Sequence, residues 1–297
     1  MSNVDISITG GSWGTYLSGR GIFGGVYADK VAASVEDVEI SVSGGTMGNI
    51  YGGGWAQNGG SSTVGNVSIT VAGTAEVANV FGGGSYSGVS YGATSVSSVN
   101  ILVAGGNVAN NIFAAGQGEF STVTGDISVI FTGSNDYTCN VYGYGTQSSA
   151  TDANDKVLTF DGYTGTLSGN VGGFDAIAFA GDAKTKLTGD YDAIDNSAWT
   201  FDVAERSTGL AGTTVLEWND ADFTGDTITL NLATGSTAEW DLVKTGGTTV
   251  YNKFDVRVDG VSILPENIDI DDKIADGAYA GWGFTDEGGM LKFKQLA

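Results

Sequence analysis

The side chains in this chain that could do chemistry are carboxylates and aromatics. Asp and Glu number 34 against 12 Lys and Arg, and there is no histidine. Paired carboxylates can act as acid and base on a glycosidic bond. Clustered carboxylates can bind calcium. The densest groups are Asp190, Asp192 and Asp195, and Asp269, Asp271 and Asp272. Neither has the Asp-x-Asp-x-Asp-Gly spacing of a calcium loop. Gly172-Gly173-Phe174-Asp175 approaches a Gly-Gly-x-Gly-x-Asp calcium repeat but lacks one of its glycines. A solvated acidic face is the simpler reading, and no metal or cofactor is expected. The lack of histidine removes Ser-His-Asp triads and zinc sites with His ligands. Cys139 is the only cysteine, so no intramolecular disulfide can form. With no imidazole to activate it, it reads as a small structural residue rather than a nucleophile.

The aromatic candidates are Trp55, Tyr86 and Tyr91, with Tyr27 beside them in the count of repeats. Trp55 is followed closely by Gln57 and Asn58. An aromatic ring flanked by amides suits contact with a sugar or a peptide. The competing reading is that these rings pack over the chain as local covers. They fall in segments of variable sequence, 26–34, 55–63, 85–95, 117–123 and 146–155, and the elements between those segments must position them.

Those elements repeat. An alternating strand ending in glycine occurs five times, at Val4–Gly10, Val38–Gly44, Val67–Gly73, Val99–Gly105 and Ile127–Gly133. An aliphatic–aromatic–small turn follows each: Ile22-Phe23-Gly24-Gly25, Ile50-Tyr51-Gly52-Gly53-Gly54, Val80-Phe81-Gly82-Gly83-Gly84, Ile112-Phe113-Ala114-Ala115-Gly116 and Val141-Tyr142-Gly143-Tyr144-Gly145. The period is roughly 30 residues, the signature of stacked repeats. Within each strand the apolar residues alternate, so one face is buried and the other is wet. No regular hairpin signal joins the strands, which argues against a propeller or meander. Stacking instead places equivalent strands in parallel, about 4.8 Å apart. The expected fold is all-β, a parallel β-helix with like residues in axial columns. Asn49, Asn79, Asn111 and Asn140 form one such column, expected at a left-handed corner and linked as an amide ladder. The glycines are expected to allow positive φ at sharp turns.

Composition divides the chain near residue 150. Residues 1–150 hold 9 acidic and 2 basic groups, and residues 151–297 hold 25 and 10. The first part carries the regular Gly-rich repeats. The second reads as a more acidic, less regular continuation of the β-helix with a cap at its end, and the loop Asp259–Asp276 around Pro265 belongs to that region. The net charge of −22 argues against nucleic acid, which needs a basic face. It also argues against an anionic membrane surface. No run of apolar residues is long enough to span a bilayer. No signal peptide is visible, and the chain starts almost inside its first repeat strand, so it reads as a piece of a longer protein.

The repeated Gly-Asn-[Ile/Val]-[Tyr/Phe]-Gly-Gly turns resemble the Gly-rich β-helix repeats of bacterial autotransporter (type V secretion) passengers. Thr227–Leu232, Trp240–Val243, Phe254–Gly260 and Gly289–Phe293 are similar to the coils that precede a translocator barrel in that family. The resemblance covers most of the chain through short, degenerate motifs. It implies a right-handed parallel β-helix exported to the bacterial cell surface, an adhesin or a stalk. An outer-membrane translocator barrel is then expected elsewhere in the full-length protein, with no membrane insertion by this piece. The expected function is non-enzymatic binding of a host-surface glycan or protein through loops on one side, with Trp55, Gln57, Asn58, Tyr86 and Tyr91 as the contact residues. A polysaccharide-active enzyme on the same scaffold and a purely structural stalk are the alternatives.

Overall fold

The computed structural model describes the chain except residues 1–2, 14–20, 88–91, 147–154, 193–197, 220, 247–248, 250, 265–267 and 297. Its elements are strands apart from one short 3-10 turn at Thr208–Leu210. They stack as a parallel β-helix.

The alternating strands form the longest side, a 12-stranded sheet that begins at Val4–Ile8. Ala32–Val42, Ser61–Ala72 and Ala93–Ala104 follow in parallel register, as do Ile127–Thr132 and the strands beyond. Val38 pairs with Val67, Val67 with Val99 and Val99 with Ile127. Ile40, Ile69, Ile101 and Val129 make the next inward row, and all four are fully buried. Each coil covers the apolar face of the next, which is why no single coil is stable alone.

The chain turns through glycine onto a second side. Gly45, Gly73, Gly105 and Gly133 hold φ between +59° and +96° there, a region that costs other L-residues energy. The second sheet contains Thr46–Tyr51, Glu76–Phe81, Asn107–Phe113 and Asn140–Tyr142. The asparagine ladder runs along these strands. Asn79 donates to Asn49 at 2.9 Å, Asn111 to Asn79 at 3.1 Å and Asn140 to Asn111 at 3.0 Å. The expected left-handed corner is not where they sit. Among the described residues, the non-glycine residues with positive φ are Lys30, Asn58, Asp259 and Asp271. An amide on an extended strand repeats with the coil spacing and needs no corner to meet its neighbour.

The glycines after the aromatic column also differ from expectation. Gly52 and Gly82 do not have positive φ. They are small because the coils meet there. A Cβ on Gly52 would lie 2.2 Å from Val67 Cγ1 and 2.4 Å from Gly82 O. The aromatics before them stack face to face: Phe23 on Tyr51 at 4.5 Å, Tyr51 on Phe81 at 4.7 Å and Phe81 on Phe113 at 5.3 Å.

A short third side, Tyr27–Asp29, Trp55–Gln57 and Ser85–Ser87, returns the chain to the long sheet. From Tyr137 onward a different side opens, between the long sheet and the second. Tyr137 bridges Leu167, and Thr166–Leu167 continues through Thr185–Leu187, Leu216–Trp218 and Trp240–Lys244. The long sheet runs through this change without a break, with Ile127 paired to Lys156 and Val157 to Ala176. Coils shorten where Asp175 meets Lys156 across only 19 residues. An aromatic column, Phe131, Phe160, Phe179 and Phe201, fills this core at centroid spacings of 5.8, 5.3 and 5.2 Å. Antiparallel strands end the stack. Val261–Ser262 folds back on Tyr251–Val258, and Met290–Gln295 pairs with both Trp240–Lys244 and Trp282–Asp286. A hairpin thus closes this end, and Pro265, within the Asp259–Asp276 region, lies outside the described residues. Reversed strands break the parallel register that another coil would need.

Candidate functional site

Among the described residues, the third side carries the most exposed aromatic ring, Tyr27. Its alternation is set by the core: Ala28 and Ala56 face inward and are fully buried. Their neighbours therefore face outward. Tyr27 pairs with Trp55, and Asp29 with Gln57. Tyr27 is 61% exposed. Trp55 is half-buried and packs at right angles to Phe23, with centroids 5.3 Å apart and planes at 86°. Gly25 completes the surface. A Cβ there would sit 2.5 Å from Gly54 N, so no side chain can fill the space. Phe23, Gly25, Tyr27 and Trp55 line an open cleft of about 240 Å³.

Polar groups at the rim are already paired. Gln57 Nε2 donates to the Tyr27 hydroxyl. Asn58 Nδ2 donates to Asp29 Oδ1 at 2.9 Å. Asn58 and Lys30 occupy successive left-handed corners, with φ of 52° and 60°. Asn tolerates this conformation better than most residues.

The row of aromatics ends at the third coil. Ser85 pairs with Trp55 and is buried, donating its hydroxyl to Gln117 Oε1 at 3.1 Å. Tyr51 donates to the same oxygen at 2.8 Å and accepts from Asn49 Nδ2 at 3.0 Å. Burial pushes the Tyr51 hydroxyl above its ordinary pKa, against the bond from Asn49. Tyr86 pairs with Ala56, not Trp55. It thus occupies a different row from Tyr27 and Trp55. Tyr91 lies outside the described residues. Trp55, Gln57 and Asn58 come together with Tyr27, while Phe23 and Gly25 enter the site without having been singled out. Phe23 belongs to the aromatic column visible in the sequence. What it lacked was a sign that the column borders the third side.

A second concavity, of about 420 Å³, lies on the outer face of the long sheet. Asp5, Asp37 and Glu39 line it with Asn66, Ser98 and Asn100. Asp37 accepts Asn66 Nδ2 at 2.8 Å, and Ser98 donates to Asn66 Oδ1 at 2.7 Å. Asp37 is thus tied into a polar ladder. Of the acidic groups expected to be solvated, Asp269 donates its backbone N–H to Asp272 at 3.3 Å. Asp195 lies outside the described residues. Among the described residues, no group of three His, Cys, Asp or Glu is placed to hold a metal ion. Cys139 is fully buried, and burial pushes its thiol up to about 12. An activated thiolate requires a lowered value.

Comparison with known protein families, characterised proteins and solved structures finds no match.

Proposed function

We propose that this chain is a non-enzymatic binding module of a bacterial surface protein, an adhesin-like passenger of the autotransporter kind. In this reading it is displayed outside the cell. It contacts a host glycan or protein through the cleft on the third side. The observation that carries this is Tyr27, a large ring left 61% exposed and facing a cleft that it shares with Trp55 and Phe23. A ring left mostly exposed contributes little to the core, and exposed aromatics in a concave site favour ligand contact. The test is a glycan array and a host-protein screen with the wild type and Tyr27→Ala. The expected result is a ligand whose binding falls in the variant while the melting temperature stays the same. Silence in both screens would leave the stalk reading in its place.

The groove around Asp5, Asp37 and Glu39 favours a second reading, cleavage of a polysaccharide by paired carboxylates. Glycan release by the wild type, abolished in Glu39→Gln, would support it. Unchanged substrate in a broad polysaccharide panel would count against it.

A further inference from the structure

We propose that the cleft of Phe23, Tyr27 and Trp55 is an aromatic cage for a quaternary ammonium group. This rests on the reading of the third side as the binding face, and adds the chemistry of what binds there.

The shape of the lining separates this ligand from a plain sugar. A pyranose stacks on a flat ring face and needs several hydrogen-bond partners for its hydroxyls. Here two walls meet at 86°, a corner rather than a platform. Among the described residues, the lining is three aromatics and a glycine. The Tyr27 hydroxyl already accepts from Gln57. The described lining offers a sugar's hydroxyls few partners other than the Tyr27 hydroxyl and water. A quaternary ammonium has no N–H and needs none. Its methyl groups fill apolar corners, and its charge is attracted by the negative faces of the rings.

The electrostatics of the chain point the same way. The net charge of −22 draws cations toward the surface and repels anions. On the same strand and corner, the nearby charged side chains are Asp29, paired with Asn58, and the exposed Lys30. Neither lines the cleft. A primary ammonium would have to shed its bound water to enter, whereas a trimethylated one holds water weakly. The cage therefore selects for methylation as well as charge. Two sources carry this chemistry: a choline group on a glycan or lipid, and a trimethylated lysine on a protein.

The experiment is calorimetry and saturation-transfer NMR on the whole chain with choline. The comparison ligand is 3,3-dimethylbutan-1-ol, which has the same shape without the charge. Cation–π attraction of about 0.5–2 kcal/mol predicts choline tighter than the neutral analogue by about 2- to 30-fold. Tyr27→Leu and Trp55→Leu should each weaken choline by a similar factor, and Trp55→Phe should lose less. Tyr27 is exposed enough that its variant keeps the fold, so the test survives if Trp55→Leu does not. Phosphocholine and a trimethyl-lysine peptide, each against its unmethylated counterpart, identify the source. Equal affinity for choline and its neutral analogue would overturn the cage, as would equal affinity for methylated and unmethylated lysine. Choline silence with a Tyr27-dependent neutral sugar would overturn the cage and leave the binding face standing. Silence to every probe, with no Tyr27-dependent ligand in the screens, would remove both.

Discussion

Replacing Asn79 with alanine tests whether the amide ladder holds adjacent coils together. Asn79 donates to Asn49 at 2.9 Å and accepts from Asn111 at 3.1 Å, so the substitution removes two hydrogen bonds. It leaves one acceptor and one donor without their partners. A net hydrogen bond contributes about 1 kcal/mol. The column is half-buried, so water re-forms part of the loss, and the expected cost is about 1–2 kcal/mol. Asn111→Ala should cost about the same, because it removes the bonds to Asn79 and from Asn140. The two variants share the Asn111–Asn79 bond. The double variant thus loses three bonds rather than four. It should fall short of additivity by about 1 kcal/mol. Urea unfolding followed by circular dichroism reads this directly. The m-values need comparison, because a stack of repeats can unfold in parts. Wild-type midpoints in both single variants would show that solvent supplies these bonds equally well. Strict additivity would show that the two amides are not coupled through the ladder.

Three other outcomes are expected. Gly82→Ala should destabilise by about 1–3 kcal/mol in the same denaturation assay, because its Cβ would lie 2.1 Å from Ala114 O and 2.4 Å from Val99 Cγ1; a neutral result would mean the coils can part there. Burial raises the Cys139 thiol from 9.0 to about 12, so the folded state holds its proton longer than the unfolded state does. The stability linked to that proton is complete below pH 9 and is lost as pH rises toward 12, and Cys139→Ala should flatten the fall in unfolding free energy across that window. Arg206 is 4% exposed and donates to the carbonyls of Ala183 and Thr213; Arg206→Ala should cost about 2–4 kcal/mol by leaving those acceptors unpaired, and an unchanged melting temperature would refute the clamp.

The first half of the fold is legible because a stack repeats its constraints. Val38, Val67, Val99 and Ile127 share one register row, so the same need for an inward apolar residue recurs at each coil. The asparagines recur for a similar reason, since an amide ladder works only when every coil supplies a member. What the repeat does not convey is why a residue is small. Gly45 and Gly52 look alike in sequence, yet the first is set by φ of +88° and the second by the Val67 methyl against it. The second half loses its single spacing when coils shorten and the extra side moves. There the long-sheet strands stay readable, as do Trp240–Val243 and Gly289–Phe293 of the extra side, while a two-residue strand such as Val171–Gly172 leaves no pattern of its own.

The candidate site is the hardest part to read, and the register of the third side explains why. The fold demands small inward residues there, and Ala28 and Ala56 meet that demand. It places no comparable demand on the outward row, where Tyr27, Trp55 and Ser85 succeed one another. Counting from the glycine triplets would have aligned Ser85 with Trp55 and set Tyr86 one position off. A position released from the columns is free to change with the ligand, so it leaves no periodic trace. Candidate contact residues therefore lie where the repeat stops constraining the chain. On this molecule that place is the outward row of the third side, where an exposed Tyr27 is not accounted for by the packing of the coils.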